Sequence, residues 1–331
     1  LMAGQAVQQY LSSREDSRAM IIAVASGKGG TGKTTVATSL ALSLAARAEP
    51  ESPVPLSPLF LDCDVEAPNA HLFLNPGFDQ RQAVGILVPQ VDEENCTYCG
   101  TCAEVCQYHA IAVLGKKTLV FPQLCHGCGS CTLICPEEAI SETLREIGTL
   151  ERGLTPSGID FAQGVLDVGE PMAVPVIRQL KRWARPKPGQ VEIVDASPGT
   201  SCPVVEALRG SDFVLLVTEP TPFGLHDLKL AVEVTRELGI PAGVVVNRCE
   251  GNSPGGGYST ILEAYCREQG LPILLRIPYE REVAEGIAQG LTLVEIRPET
   301  ILLFKQLLIQ IVSEVLASEH RTIAEKWIVT E

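Results

Sequence analysis

The sequence predicts an α/β protein: a mostly parallel sheet flanked by helices, with a small α+β unit inserted between two of its strands. Three observations carry that expectation. Apolar runs alternate with helical patterns along most of the 331 residues, the way parallel strands joined by crossover helices are written. The first apolar run feeds straight into a glycine-rich loop, Gly27-Lys28-Gly29-Gly30-Thr31-Gly32-Lys33-Thr34, and then a helical pattern. Between Asp64 and Val191 the alternation stops, and two matching cysteine runs stand in the gap.

Residues 1–19 are mixed and polar (Gln8, Gln9, Arg14, Glu15, Asp16), lack the apolar core of a signal segment, and read as an N-terminal extension. Met20 to Ala25 is a buried first strand. The helix after the glycine loop sets Val36, Leu40 and Leu44 on one face at i, i+4 and i+8. A proline-rich connector (Pro50, Pro53, Pro55, Pro58) leads to a strand at Leu59 to Leu61, which ends in Asp62-Cys63-Asp64. Later strands are expected at Val191 to Val194, Phe213 to Val217, Gly243 to Val246 and Ile273 to Ile277. Helices fit near 203–209, 224–239, 258–270 and 280–289, with Gly239, Gly270 and Gly290 where left-handed caps belong. In the glycine-rich stretch 148–170, Thr155-Pro156-Ser157-Gly158 signals a hairpin turn. Ile301 to Val315 carries Lys305, Gln306, Gln310 and Glu314 and reads as an amphipathic core helix. A membrane-surface helix would need a basic polar face.

The net charge of −14 argues against sequence-blind nucleic-acid binding, which rests on Lys and Arg. No apolar run is long enough for membrane insertion, and a cytoplasmic location is expected. Twelve cysteines in a chain of this size, at regular spacing, point to metal ligation in a reducing compartment rather than to disulfides.

The cysteine runs are Cys96-x2-Cys99-x2-Cys102-x3-Cys106 and Cys125-x2-Cys128-x2-Cys131-x3-Cys135-Pro136. This is bacterial-ferredoxin spacing, in which three thiolates hold one [4Fe–4S] cluster and the fourth reaches across to the other. Crossed ligation gives Cys96, Cys99, Cys102 and Cys135 to one cluster, and Cys125, Cys128, Cys131 and Cys106 to the second. Zinc is the alternative, although zinc sites usually take Cys-x2-Cys pairs. Gln107 stands where a proline commonly follows the fourth cysteine. The two runs repeat at an offset of 29, down to Ala110-Ile111 and Ala139-Ile140, so residues 91–141 are expected to form a pseudo-twofold ferredoxin-like insert. Residues 20–90 and 142–331 would then be the two parts of one ATPase domain.

In the glycine loop, backbone N–H groups of Gly27, Lys28, Gly29, Gly30, Thr31 and Gly32 can curl around phosphates at a helix N-terminus. Lys33 should reach the β- and γ-phosphates, Thr34 should ligate Mg²⁺, and Thr35 lies within the same turn. ATP and Mg²⁺ are therefore expected. The pattern Lys28-Gly29-Gly30-Thr31-Gly32-Lys33-Thr34 resembles the deviant P-loop ATPases of the MinD/Mrp/ParA group, which includes the nitrogenase iron protein and has a SIMIBI-type sheet. The resemblance implies a homodimer closed around ATP, with Lys28 reaching the partner's nucleotide. It also implies that Asp64 positions the attacking water, that Asp62 stands behind the Mg²⁺, and that Asp195 is the Walker B carboxylate. Ala196-Ser197-Pro198-Gly199-Thr200 resembles switch II, and Asn247 resembles the group's adenine-contacting Asn.

Both halves together resemble a subgroup of these ATPases with an inserted two-cluster ferredoxin domain, on Asp62-Cys63-Asp64-Val65-Glu66-Ala67-Pro68-Asn69 and Thr218-Glu219-Pro220-Thr221-Pro222-Phe223-Gly224-Leu225-His226-Asp227-Leu228. Such a chain is expected to couple ATP-driven dimer switching to electron transfer, or to docking of a redox or metallocluster client. Cluster assembly and delivery, or a MinD-type scaffold, are the alternatives. The Mrp carriers' C-terminal Cys-x2-Cys pair has no counterpart. Cys63, Cys202, Cys249 and Cys266 read as small buried residues, although the nitrogenase iron protein has a cluster ligand near the position of Cys202. His126, inside the second run, reads as a solvated loop residue, with a hydrogen bond that tunes a cluster as the alternative, and His226 reads as a residue that opens a helix.

Overall fold

The computed structural model describes residues 19–46, 58–249 and 258–328. Most of the N-terminal extension and of the proline-rich connector lies outside the described residues. The strands are β1 (Met20–Ala25), β2 (Leu59–Asp62), β3 (Gly77–Val91), β4 (Ile111–Val113), β5 (Thr118–Val120), β6 (Ile140–Leu154), β7 (Asp160–Leu166), β8 (Val191–Asp195), β9 (Phe213–Thr218), β10 (Ala242–Cys249) and β11 (Ile273–Pro278). The helices are α1 (Lys33–Ala45), α2 (His71–Leu74), α3 (Thr101–Val105), α4 (Ser130–Ile134), α5 (Val174–Trp183), α6 (Cys202–Leu208), α7 (Pro222–Glu237), α8 (Tyr258–Glu268), α9 (Arg281–Ala288), α10 (Leu293–Ile296) and α11 (Thr300–Ile328).

Nine strands form one sheet in the order β11-β10-β9-β1-β8-β2-β7-β6-β3. From β11 to β7 every neighbour is parallel, while β6 runs antiparallel to both β7 and β3. The central strands are buried on both faces, so they read as continuous apolar runs. In β1, Ala23 and Ala25 face a core built with Ile177 and Leu180 of α5, Ala207 of α6 and Val232 of α7. Met20, Ile22 and Val24 face a second core with Val36 and Leu40 of α1 and Leu308 and Ile311 of α11. Each such Leu or Ile contributes about 1.5–3 kcal/mol when fully buried. The stretch Thr300–Ser318 is long and apolar enough to cross a membrane by length and composition. Its Phe304, Leu307, Leu308, Ile311, Val312 and Val315 are instead buried in the second core.

The sheet is not interrupted between Asp64 and Val191, as the sequence suggested. Three strands from that stretch extend it. The hairpin expected at Thr155–Gly158 forms between β6 and β7. Strands β3 and β6, fifteen residues each, pair antiparallel from Gly77 with Leu154 out to Val91 with Ile140. The cysteine segment stands at the far end of this ribbon, with the β4–β5 hairpin between α3 and α4.

The internal repeat is written in the backbone. Tyr98 and Gly127 have φ of 58° and 64°, Gly100 and Gly129 have 88° and 73°, and His109 and Glu138 both have 51°. Each pair is separated by the same 29 residues as the cysteine runs. Three of these six are not glycine, and L-residues adopt that region uncommonly. The small core here is Cys102, Ile111 and Ile140, packed by Cys106, Cys131 and Cys135, so the cysteines themselves are much of the packing.

Candidate functional site

Strand β1 ends at Ala25, and the glycine loop turns into α1 at Lys33. Two glycines are forced. A Cβ on Gly27 would lie 2.1 Å from the Asp227 carbonyl oxygen, and one on Gly32, whose φ is 92°, would lie 2.2 Å from Asn247 Nδ2. The loop borders a cavity of about 240 Å³ lined by Ser26, Gly29, Gly30, Gly32, Lys33, Thr34, Thr35, Asp64, Asn69, Phe73, Pro198 and Arg248.

At the floor, Lys33 Nζ lies 2.5 Å from Asp195 Oδ1, and Thr34 Oγ1 donates to Asp195 Oδ2 at 2.7 Å. Burial works against the Lys33 charge, but Asp195 outweighs it and raises the amine's pKa. Asp62 sits beside Asp195 on the next strand. Its carboxylate accepts backbone N–H bonds from Asp64 at 3.1 Å and from Asn69 and Ala70 at 3.0 Å. Burial, and then the Asp195 charge, push Asp62 up to about 7. Burial also raises Asp64, which lines the cavity, against the opposing pull of Lys33. Asp62 therefore braces the turn that presents Asp64 and Asn69.

A polar row crosses the sheet from this floor. Asp195, Asp62, Gln163, Glu151 and Arg81 are successive register partners on β8, β2, β7, β6 and β3. Gln163 Nε2 donates to Glu151 Oε2 at 2.7 Å, and Arg81 pairs with Glu151. Gln163 Oε1 is buried without a partner. By strand register the row runs from the cavity floor to the ribbon that carries the cysteines.

Asn247 lies near the end of β10, beside the loop, its Nδ2 donating to the Thr31 carbonyl at 2.7 Å. The next residue, Arg248, lines the cavity. Lys28 lies 3.9 Å from Glu219, which also holds Arg248 at 2.5 Å. Arg248, Glu219 and Phe73 were not singled out as site residues in the sequence. The signals available were position alone: Arg248 adjoins Asn247, and Glu219 opens the Thr218-Glu219-Pro220 turn.

Two smaller cavities lie in the cysteine segment. One is lined by Cys96, Cys99, Cys102 and Cys135, the other by Cys106, Cys125, Cys128 and Cys131. Each cavity thus draws one cysteine from the opposite run. The Ala110 N–H donates to Cys106 Sγ at 3.2 Å and the Gly127 N–H to Cys125 Sγ at 3.4 Å. Hydrogen bonding from Thr101 lowers the Cys99 thiol, and Ser130 does the same for Cys128. Among the described residues, no three His, Cys, Asp or Glu side chains could hold one metal ion.

Two expectations need correction. Cys202 is exposed at the start of α6, because Cys202 opens the helix ahead of its buried face at Val204, Ala207 and Leu208. His226 lies inside α7, whose cap is Thr221 accepting from the Gly224 N–H. His126 is an exposed loop residue, as expected, and its ring stacks on Tyr108, with centroids 3.5 Å apart and planes 9° apart. Cys63, Cys249 and Cys266 are buried as expected.

Residues 22–294 match the family described as the CobQ/CobB/MinD/ParA nucleotide binding domain. The chain is 33% identical over 281 residues to Uncharacterized protein MJ0579 of Methanocaldococcus jannaschii, covering 83% of this chain and 91% of that one. It is 32% identical over 231 residues to Uncharacterized protein MJ0578 of the same organism, covering 69% and 78%. The fold is similar to the Pyrococcus furiosus cell division ATPase MinD, with a TM-score of 0.51, 21% identity, and 89% and 99% of the two chains covered. It is also similar to the septum site-determining protein MinD of Pyrococcus horikoshii OT3, solved with Mg-ADP, with a TM-score of 0.51, 20% identity, and 90% and 96% covered. A P-loop between β1 and α1, a Lys–Asp–Thr floor and a mostly parallel sheet agree with the match over 22–294, and the chain belongs to the CobQ/CobB/MinD/ParA family of nucleotide-binding proteins.

Proposed function

We propose that this chain is a dimeric ATPase whose nucleotide state is coupled to two [4Fe–4S] clusters in residues 91–141. The observation that carries the reading is the pair of cysteine-lined cavities. Each has four thiols, and in each one thiol comes from the other run, as crossed ligation requires. N–H donors on Cys106 and Cys125, and the hydroxyls of Thr101 and Ser130 within hydrogen-bond reach of Cys99 and Cys128, complete a set of groups that fits an iron–sulfur cluster. When bound, the clusters supply one-electron storage.

The protein's own residues supply the ATP chemistry. With MgATP bound, Lys33 would turn from Asp195 to the β- and γ-phosphates, and Thr34 and Asp195 would hold the Mg²⁺, with Asp62 behind them. Asp64 orients a water whose oxygen attacks the γ-phosphorus as the bond to the ADP oxygen breaks. Lys28 from a second copy neutralises charge developing on the phosphates. Hydrolysis is slow until two copies close, because each site takes that cation from the other copy. The ribbon β3–β6 carries closure outward to the cysteine unit, where a redox client would dock in one nucleotide state. A cytoplasmic setting suits reduced thiols.

Anaerobically prepared protein should carry about eight iron atoms per chain with matching acid-labile sulfide. Tightly bound zinc with no iron would refute the cluster reading. Lys28→Ala should bind MgADP normally but neither dimerise with ATP nor hydrolyse it, and full activity in that variant would sink the dimer reading.

A further inference from the structure

Glu219 occupies a locked turn. A Cβ on Gly224 would lie 2.2 Å from the Glu219 carbonyl oxygen, so only glycine lets α7 start this close to the end of β9. Thr218 Oγ1 donates to the Gly224 carbonyl at 2.9 Å, and the Thr221 N–H donates to the Glu219 carbonyl at 2.8 Å. The side chain, 13% exposed, faces two cations from different elements. Its Oε1 lies 2.5 Å from Arg248 Nη1, and its Oε2 lies 3.9 Å from Lys28 Nζ. Arg248 is itself pinned, at φ 55°, by its N–H donating to Asn247 Oδ1 at 2.9 Å. One carboxylate is thus shared between the P-loop lysine and the wall of the nucleotide cavity.

We infer that Glu219 is a positioning residue that retains Lys28 within its own chain, and that Arg248, by neutralising Glu219, sets how firmly Lys28 is held. This rests on the reading that Lys28 acts across a dimer, and the ligand concerned is a second copy of this chain. Closure on ATP requires Lys28 to leave Glu219. The 3.9 Å separation and the 35% exposure of Lys28 make that departure easy. The closer Arg248 contact leaves Glu219 only part of its charge for Lys28. Removing the carboxylate should therefore favour closure, and removing Arg248 should oppose it. A residue that only braced the turn would not give opposite signs.

The experiment measures MgATP-dependent dimerisation by light scattering at saturating ATP, with Asp64→Asn present throughout to prevent turnover. Glu219→Gln should dimerise at about threefold to fivefold lower protein concentration, the scale of a partly exposed ion pair. Arg248→Gln should need a higher concentration, with ATP affinity measured separately by calorimetry so that saturation is assured. Glu219→Gln/Arg248→Gln should behave like Glu219→Gln, because Arg248 acts through Glu219. Glu219→Ala, with an unchanged thermal melt, serves as the second carboxylate-free variant. The inference is overturned if the carboxylate-free variants dimerise like the parent or more weakly, or if the double variant follows Arg248→Gln. Lys28→Ala separates the two levels. If that variant still dimerises with ATP, the dimer reading fails and this inference falls with it. If it does not dimerise and Glu219→Gln matches the parent, this inference alone fails.

Discussion

Replacing Lys33 by methionine isolates the electrostatics of the nucleotide floor, since methionine fills much of the same volume without the charge. The ion pair it removes is short, 2.5 Å, and enclosed, with the Lys33 and Asp195 side chains 8% and 0% exposed. Removing one partner of such a pair costs about 3–5 kcal/mol, because the other charge stays buried and unpaired. Asp62 on the adjacent strand makes matters worse, leaving two buried carboxylates side by side with no cation between them. Against a typical total of about 5–15 kcal/mol, the loss is a large fraction of the stability.

The pH dependence has a definite sign. Asp62 titrates at about 7 in the fold against 3.8 for the ordinary carboxyl. The folded chain therefore holds a proton that the unfolded chain has lost, and this contribution is present below about pH 4 and lost as pH rises through about 7. Lys33→Met should deepen that decline. Urea unfolding of nucleotide-free protein in EDTA, at pH 5.5 and pH 8, measures it. The single variant should lose most at pH 8, and Lys33→Met/Asp195→Asn should recover most of the loss. A single variant within about 1 kcal/mol of the parent at pH 8 would refute the argument, since a buried pair broken on one side cannot be that cheap.

Other outcomes follow from the same geometry. Burial raises Glu192 on β8 to about 7 against the opposing pull of Lys181, so its contribution also fades between about pH 4.5 and 7. Glu192→Gln should flatten that slope and raise stability at pH 8 by on the order of 2–3 kcal/mol in urea unfolding. Gly27→Ala drives a methyl into the Asp227 carbonyl at 2.1 Å. It should lower stability by about 1–3 kcal/mol and weaken MgADP binding measured by calorimetry. Crossed ligation is tested by iron content in paired variants. Cys96→Ser/Cys135→Ser removes ligands from one cavity and should leave about four irons, whereas Cys96→Ser/Cys106→Ser touches both and should leave fewer. Equal losses in the two pairs would contradict the crossed arrangement.

Much of this was legible in the sequence because strong local signals agreed with the global fold. The strands β1, β2, β8, β9, β10 and β11 announce themselves as apolar runs, and the glycine loop fixes where β1 gives way to α1. The cysteine repeat reappears in the matched left-handed residues Tyr98/Gly127, Gly100/Gly129 and His109/Glu138. The ribbon β3–β6 was not legible, for a physical reason. Its first half is exposed and polar (Asp79, Gln80, Arg81, Gln82), and only Val84, Ile86 and Val88 alternate inward. That is three residues of period-two signal beside an apparent insert. The polar row through Gln163 and Glu151 was hidden as well, because its members are far apart in sequence and meet only through strand register. Arg248 and Glu219 come together at the cavity edge for the same reason.

The central claim is that nucleotide state reaches the cysteine cavities through the ribbon. Its most direct test is to measure both cluster midpoint potentials and the rate of iron loss to a chelator, in anaerobic protein carrying Asp64→Asn. Three conditions are compared: no nucleotide, MgADP and MgATP. MgATP should shift at least one potential or the chelation rate relative to the other two conditions. A twofold difference in ATP affinity between the two states already corresponds to about 0.4 kcal/mol of coupling. Agreement of all three conditions within error, in protein shown to bind ATP and to carry iron, would contradict the claim and leave the cysteine unit energetically independent of the ATPase.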